Sequence, residues 1–236
     1  KGKNFIHIEK KTSFSLTPFK EVLKIKDNRY LYLFGATNYG LYYVLQTVIG
    51  KKFLERISTE AQRMSRLVSD LLTLSRYDTS RVMSDKTEFD LGELVKYIYD
   101  GLDIEMKKKN LKAECFVTSN VPLVYADKSG IERVVINILT NAIKYTPEEG
   151  TVKVYVGFVY NDAYIKIIDN GIGIPKEDLD KIFERFYRVD KSRTREMGGT
   201  GLGLSIANMI VSAHNGTIKA SHNQPKGTVF TIRLPK

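Results

Sequence analysis

The sequence predicts an α+β chain, a two-layer sandwich with helices on one face of a mixed sheet, preceded by a long amphipathic helix. Three observations carry that expectation. Leu54, Ile57, Ala61, Met64, Val68 and Leu71 recur at three- and four-residue steps, the spacing of one helical stripe. Strand-like runs bounded by turn residues recur beyond Lys112. Two apolar helical stretches, Lys128 to Tyr145 and Gly203 to His214, are set among those runs, the second stopped by Asn215-Gly216.

Taken in order, residues 1 to 50 form a segment of their own. The alternation VLKIK, then DN, then RYLYLF over Val22 to Phe34 reads as a β-hairpin around a two-residue turn. Tyr30 to Gly50 carries no charge and meets the length of a membrane span. Its Asn38, Gln46, glycines and tyrosines make it a poor lipid-facing helix, so a span is not the expectation. From Lys51 the amphipathic helix runs to Asp78, with Glu55, Arg56, Arg63, Arg66 and Asp70 off the apolar seam. Periodicity does not choose between a partner chain and the chain's own domain as the cover for that seam. Residues 79 to 84 are a linker, and residues 85 to 236 form the main domain. There a helix over Leu91 to Lys108 is capped by Asp90. Strands fall at Lys112 to Thr118, Thr151 to Tyr160, Ala163 to Asp169, Thr217 to Ser221 and Gly227 to Leu234.

Composition excludes little. The chain has 236 residues and a net charge of +10, but residues 1 to 52 hold ten Lys/Arg against three Asp/Glu, leaving about +3 beyond them. No nucleic-acid motif accompanies the basic segment, and no nucleic-acid partner is expected. The lone Cys115 excludes an intrachain disulfide and a cysteine zinc site, and a reducing compartment fits. Lys1 to Lys11 contains no apolar core of a secretory signal.

Three stretches carry chemistry. Asn137, Asn141, Lys144 and Tyr145 share one helical stripe, while Ile131, Val135, Ile138 and Ala142 form the stripe that can face a sheet. Carboxamide oxygens are neutral ligands for Mg²⁺, which leans on phosphates and water for the rest of its shell, so amides and a lysine in line suit a metal-bound triphosphate. The same stripe is also what a merely solvated helix face looks like. Asp169-Asn170-Gly171-Ile172-Gly173-Ile174 follows an apolar strand. A carboxylate there can accept from an adenine amino group, and the glycines let backbone approach a ring. Gly198-Gly199-Thr200-Gly201-Leu202-Gly203-Leu204 leads into a helix, where free backbone N–H groups and the helix dipole attract an anion. It is neither the dinucleotide fingerprint nor the P-loop.

In this order the stretches resemble the histidine kinase branch of the superfamily shared with gyrase, Hsp90-type and MutL-type ATPases. The asparagine helix is similar to that family's asparagine box, DNGIGI to its first glycine box, Ile182 to Arg188 to its phenylalanine box, and GGTGLGL to its second glycine box. Gly227-Thr228 sits where a last glycine motif is expected. Phe53 to Asp78 resembles the second helix of the dimerisation and phosphotransfer hairpin.

The resemblance implies a Bergerat-type ATP-binding fold with ATP and Mg²⁺ as cofactors. Asp169 would bind adenine with Tyr145 flanking the base, and Asn141 and Asn137 would serve the metal. Lys144 and Arg188 would reach the phosphates, so that Asn137, Lys144 and Arg188 are the catalytic candidates. Gly171, Gly173, Gly199, Thr200, Gly201, Leu202, Gly203 and Thr228 would line the nucleotide. Lys176 to Gly198 would be a mobile lid anchored by Phe183 and Phe186. The implied partners are a response regulator and a second copy of the chain through the hairpin helix. The implied setting is the cytoplasmic side of a membrane-anchored bacterial sensor.

Two departures qualify this. ATPase relatives place a glutamate one turn before the metal-binding asparagine, to activate water; Asn137 stands there, and an amide has no useful basicity. The H-E-x-R/K-x-P acceptor run is absent: His7 is followed by Ile8, and His214 and His222 belong to the catalytic domain. Residues 1 to 50 therefore read as foreign to the hairpin, whether a sensor remnant, a fusion or a deletion product. A nucleotide-binding interaction module without phosphotransfer is the rival reading.

Overall fold

The computed structural model describes residues 29–78, 86–119, 121–160, 162–189 and 200–235. The chain divides into two compact units, Lys1–Ala61 and Gln62–Lys236.

Helix α1 spans Arg29–Asp78 without a break. The expected hairpin is therefore corrected over Arg29–Phe34, which is helical, while its residues 22–28 lie outside the described ones. Short aromatic and aliphatic runs satisfy both periods, and a helix already nucleated beyond them extends at little cost. Among the described residues no helix is long and apolar enough to cross a membrane.

The second unit begins on α1 and continues through β1 (Thr87–Phe89), α2 (Leu91–Gly101), α3 (Asp103–Lys108), β2 (Lys112–Val117), β3 (Val124–Ala126) and α4 (Lys128–Tyr145). Then follow β4 (Thr151–Val159), β5 (Asp162–Asp169), two 3₁₀ turns at Lys176–Asp178 and Lys181–Phe183, α5 (Gly203–Ala213), β6 (Thr217–His222) and β7 (Thr228–Pro235). Strands β2-β4-β5-β7-β6 form one sheet, parallel only between β2 and β4. Strands β1 and β3 pair separately; at three residues each they are too short to show a period in the sequence.

Alternation fixes which sheet face is inside. Val152, Val154, Val156, Ile165, Ile167, Phe230, Ile232 and Leu234 point to the core and are buried. Against them lie Ile131, Val135, Ile138 and Ala142 of α4 and Ile206, Ala207, Ile210 and Val211 of α5. The predicted apolar stripe of α4 is thus the observed one. Asp90 caps α2 by accepting from the Glu93 N–H at 3.0 Å, and Asp127 caps α4 by accepting from Gly130 at 3.1 Å. The helix expected over Leu91 to Lys108 is two: Leu102, at φ −98° and ψ 3°, separates α2 from α3. Its N–H is shared between the carbonyls of Ile98 and Tyr99, a tightened last turn that follows Gly101.

From Gln62 onward α1 packs on its own unit, but not through the expected seam. Met64, Val68 and Leu71 are exposed, while Leu74 is buried and Leu67 and Tyr77 pack against the core. The packed stripe is steered by polar contacts. Arg133 of α4 donates to Asp70 Oδ1 and to Thr73 Oγ1, both at 2.6 Å, and Tyr77 donates to Asp127 Oδ2 at 2.8 Å.

Candidate functional site

An open cleft of about 1500 Å³ lies where the C-terminal end of α4, the end of β5, the turns before α5 and the β6–β7 connection converge. Asn137, Asn141, Lys144, Tyr145, Asp169, Gly173, Arg188, Thr200, Gly201, Gly203 and Thr228 all line it. Eleven residues spread over more than ninety positions of sequence thus meet on one surface. Gly171 and Leu202 do not line it, and Gly199 lies outside the described residues.

At the end of β5, Asp169 is buried. Its Oδ1 accepts from the N–H of Gly171 at 2.8 Å and of Thr228 at 3.1 Å. Oδ2 receives no hydrogen bond among the described residues. Burial raises the carboxyl above its ordinary range, against those two N–H groups, which lower it. The pocket edge is shaped by glycine where nothing else fits. A Cβ on Gly227, at φ +121°, would stand 2.0 Å from the Asp169 carbonyl oxygen, and one on Gly171 2.6 Å from that of Tyr145. Asn223 completes the frame by donating to the Asp169 carbonyl at 2.9 Å.

Along α4 the two amides differ. Asn137 donates through Nδ2 to the Gly203 carbonyl at 3.1 Å, tying α4 to the first residue of α5, and its Oδ1 receives no donor among the described residues. The Asn141 side chain makes no hydrogen bond among the described residues. Lys144 lies with its Nζ 5.2 Å from the Tyr145 ring centroid. Burial first, and then the Arg188 charge, lower its pKa from the ordinary lysine value, while burial raises that of Tyr145.

Arg188 holds a buried Nε and a buried Nη2 with no hydrogen-bond partner among the described residues. A guanidinium left so is costly unless an anion completes it. Lys144, whose charged form the nearby Arg188 disfavours, and Arg188 itself define the pole of the cleft that suits an anion.

The glycine-rich turn is only partly turned to the cleft. Gly201, at φ +74°, accepts from the Phe186 N–H at 3.0 Å, and a Cβ there would sit 3.0 Å from Phe186 backbone. Thr200 Oγ1 donates to Asp70 Oδ2 at 3.3 Å and accepts from the Leu202 N–H at 3.2 Å, so its hydroxyl serves the turn and α1. Leu202 is fully buried in the core with its N–H already used. In the preceding segment Ile182 is buried and Phe183 meets Phe230 edge to face at 6.4 Å, a contact that ordinary core packing also gives. Phe186 is 62% exposed, and among the described residues only its backbone N–H, on the Gly201 carbonyl, is seen to hold it.

Sequence reading missed Lys109, Arg133 and Asp70 as shapers of the site. Lys109 sits in the run Lys107 to Lys109, which reads as a solvated face, and no spacing distinguishes it from its neighbours.

A mixed sheet backed by helices on one face, with a cleft of amides, a buried carboxylate, a lysine and an arginine between strand end and asparagine helix, defines the class of Bergerat-type nucleotide-site domains. Residues 126–236 match the family described as histidine kinase-, DNA gyrase B-, and HSP90-like ATPase. The sensor histidine kinase WalK of Bacillus subtilis (strain 168) is 40% identical over 189 residues, covering 79% of this chain and 31% of that protein. Among solved structures, the catalytic domain of histidine kinase ThkA is 33% identical with a TM-score of 0.57, covering 64% of this chain and 95% of that one. The Acinetobacter baumannii histidine kinase AdeS is 30% identical with a TM-score of 0.64, covering 77% and 83%. The chain belongs to this family, as the catalytic domain of a sensor histidine kinase. It spans about a third of the length of the curated relative from Bacillus subtilis.

Proposed function

We propose that this chain is the ATP-binding module of a two-component protein histidine kinase, which transfers the γ-phosphoryl group of Mg-ATP to a histidine. The observation that carries the reading is one cleft lined both by the buried Asp169, whose Oδ2 receives no hydrogen bond among the described residues, and by Arg188, whose buried Nε and Nη2 have no partner among them. An adenine amino group would complete the first and a phosphate the second.

The donor set fits Mg²⁺ as well. Among the described residues no cluster of His, Cys, Asp and Glu could hold a metal, so the protein's share falls to Asn141 and the Oδ1 of Asn137, with phosphate and water as the rest. When bound, the ion would neutralise phosphate charge. Arg188 and Lys144 would orient the phosphates, Tyr145 would flank the base, and Gly173, Gly201, Gly203 and Thr228 would line the nucleotide. Asn137 in place of a glutamate leaves no general base to activate water, which preserves the phosphoryl group for a protein acceptor.

That acceptor is not supplied by an H-E-x-R/K-x-P run in this sequence. In the intact protein the acceptor hairpin would precede the catalytic domain, with residues 51 to 84 as its second helix and the connecting linker. Its partners would be a second copy of the chain and a response regulator, at the cytoplasmic side of a membrane-anchored sensor. The missing acceptor also favours a second reading, a nucleotide-binding module without phosphotransfer. The two are separated by mixing the chain with an isolated histidine-bearing hairpin domain and labelled ATP: acid-labile phosphate on that domain supports the kinase, and bound but untransferred ATP supports the second reading.

A further inference from the structure

We propose that Lys109 is a positioning residue of the nucleotide site, acting through the last turn of α4 rather than by touching the nucleotide. Its Nζ donates to three backbone carbonyls, of Ile143 at 2.8 Å, Lys144 at 2.9 Å and Thr146 at 2.8 Å. An ammonium has three protons, so all of them are engaged. Although Lys109 borders the cleft, it has no donor left for a phosphate.

Those carbonyls belong to the end of a helix, where C=O groups lack intrahelical partners and the dipole favours a cation. The cap therefore comes from a residue in another element, at the end of α3. It is reinforced by the Glu149 N–H donating to the Lys109 carbonyl at 3.0 Å. What it holds still is the part of α4 that faces the site. Lys144 and Tyr145 lie inside the capped turn. The Tyr145 carbonyl accepts from the Ile172 N–H at 3.3 Å and is the surface on which Gly171 packs. Gly171 in turn donates to Asp169. One ammonium thus sets the position of the anionic pole through Lys144 and of the adenine pole through the loop after Asp169. A misplacement of either by a fraction of an ångström weakens contacts that depend on direction.

This inference rests on the nucleotide-site reading, and the test separates the two. Calorimetric titration of the chain with Mg-ADP is run on wild type, Lys109→Met, Lys109→Gln, Lys109→Arg and Asp169→Ala. Leu234→Ala, a buried strand position away from the cleft, serves as a comparator for lost stability. Lys109→Met should lose affinity by about tenfold or more, since three carbonyls are left without their cation. Lys109→Gln should fall between, and Lys109→Arg should recover part. The amide resonances of Gly171 and Ile172 should shift in Lys109→Met, and Leu234→Ala should bind as wild type does. If Lys109→Met and Lys109→Gln bind within twofold of wild type while Asp169→Ala does not bind, the positioning role is wrong and the site stands. If Asp169→Ala also binds unchanged, the site reading itself fails. Should Lys109→Met not fold, the Gln and Arg variants decide by the same comparison, and loss of affinity in Leu234→Ala equal to theirs would overturn the proposal.

Discussion

At Asp169, which lines the cleft, one oxygen holds the strand end to Gly171 and Thr228 while the other receives no hydrogen bond among the described residues. Burial raises this carboxyl, so its charged form is disfavoured in the fold relative to the unfolded chain. The sign follows: the contribution of this group to stability is full below the unfolded value near 3.8 and is lost as pH rises through the raised folded value. Asp169→Asn keeps a carbonyl oxygen for both N–H groups and removes the charge. It should therefore melt above wild type at pH 7, with the difference shrinking toward pH 3, in paired calorimetric scans. The same variant presents an amide N–H₂ to the base and should weaken adenine-nucleotide binding by about 2 kcal/mol. In wild type, affinity should fall on acidification at a pH above that of an ordinary aspartate. Arg188 carries the complementary expectation: with two buried donors unpartnered among the described residues, Arg188→Met should cost little stability and most of the preference for ATP over adenosine. Competition binding with the two ligands measures it.

Among the elements, the connection between β6 and β7 is the most constrained. Gly227 lies at φ +121° with no room for a Cβ beside the Asp169 carbonyl, so Gly227→Ala should destabilise the domain by roughly 2–3 kcal/mol. Because the displaced strand end is the one that carries Asp169, nucleotide binding should fall with it. Chemical denaturation and titration of the same variant check both. The docking of α1 on α4 is a second such case. Tyr77 is half-buried and donates to Asp127, and burial first, then that bond, drive its phenol well above the usual tyrosine range. Asp127 also caps α4, and its N–H donates to His214 Nε2 at 2.9 Å. Tyr77→Phe removes one hydrogen bond of this set and should cost about 1 kcal/mol in urea unfolding. The Asp70–Arg133 pair at 2.6 Å is largely sheltered and lies between α1 and α4, and its loss should be felt mainly as weaker docking of α1 rather than as global unfolding.

At the scale of the molecule, the described histidines are poor acceptors for different reasons. His214 is buried with both ring nitrogens engaged, Nδ1 on the Ile210 carbonyl and Nε2 on the Asp127 N–H. His222 is exposed, but it closes β6 opposite Thr228, on the side of the cleft where Asp169 lies. In-line transfer needs a nucleophile within a few ångströms of the γ-phosphorus. The chain alone should therefore bind ATP without accumulating acid-labile phosphate. Labelling with γ-labelled ATP, acid treatment and site mapping test it, and stoichiometric label on His7, His214 or His222 would contradict it. Bound nucleotide should be recovered largely as ATP, because Asn137 cannot act as a base.

What the sequence determined by itself is what short-range periodicity and local chemistry encode. The stripe of Ile131, Val135, Ile138 and Ala142, the five strands of the main sheet and the caps at Asp90 and Asp127 follow from patterns a few residues long, and Asp90 was legible in advance. Eleven of the residues lining the cleft were named from the sequence because special chemistry leaves special residue types: amides in line, a strand-end carboxylate, glycines where a Cβ has no room. What only the tertiary structure decided depends on partners far apart in the chain. A run of alternating aromatics at Arg29–Phe34 took the period of the helix beyond it. The apolar seam through Met64, Val68 and Leu71 faces outward because Asp70, Thr73 and Tyr77 found Arg133 and Asp127 on α4. Leu202 went to the core and Thr200 to α1, although both sit in the glycine-rich run. Lys109 shows the limit most plainly: one lysine of three in a row caps a helix end at Ile143, Lys144 and Thr146, thirty-four to thirty-seven residues away. Periodicity ranks residues by face, and it does not say which distant carbonyls will lack a donor.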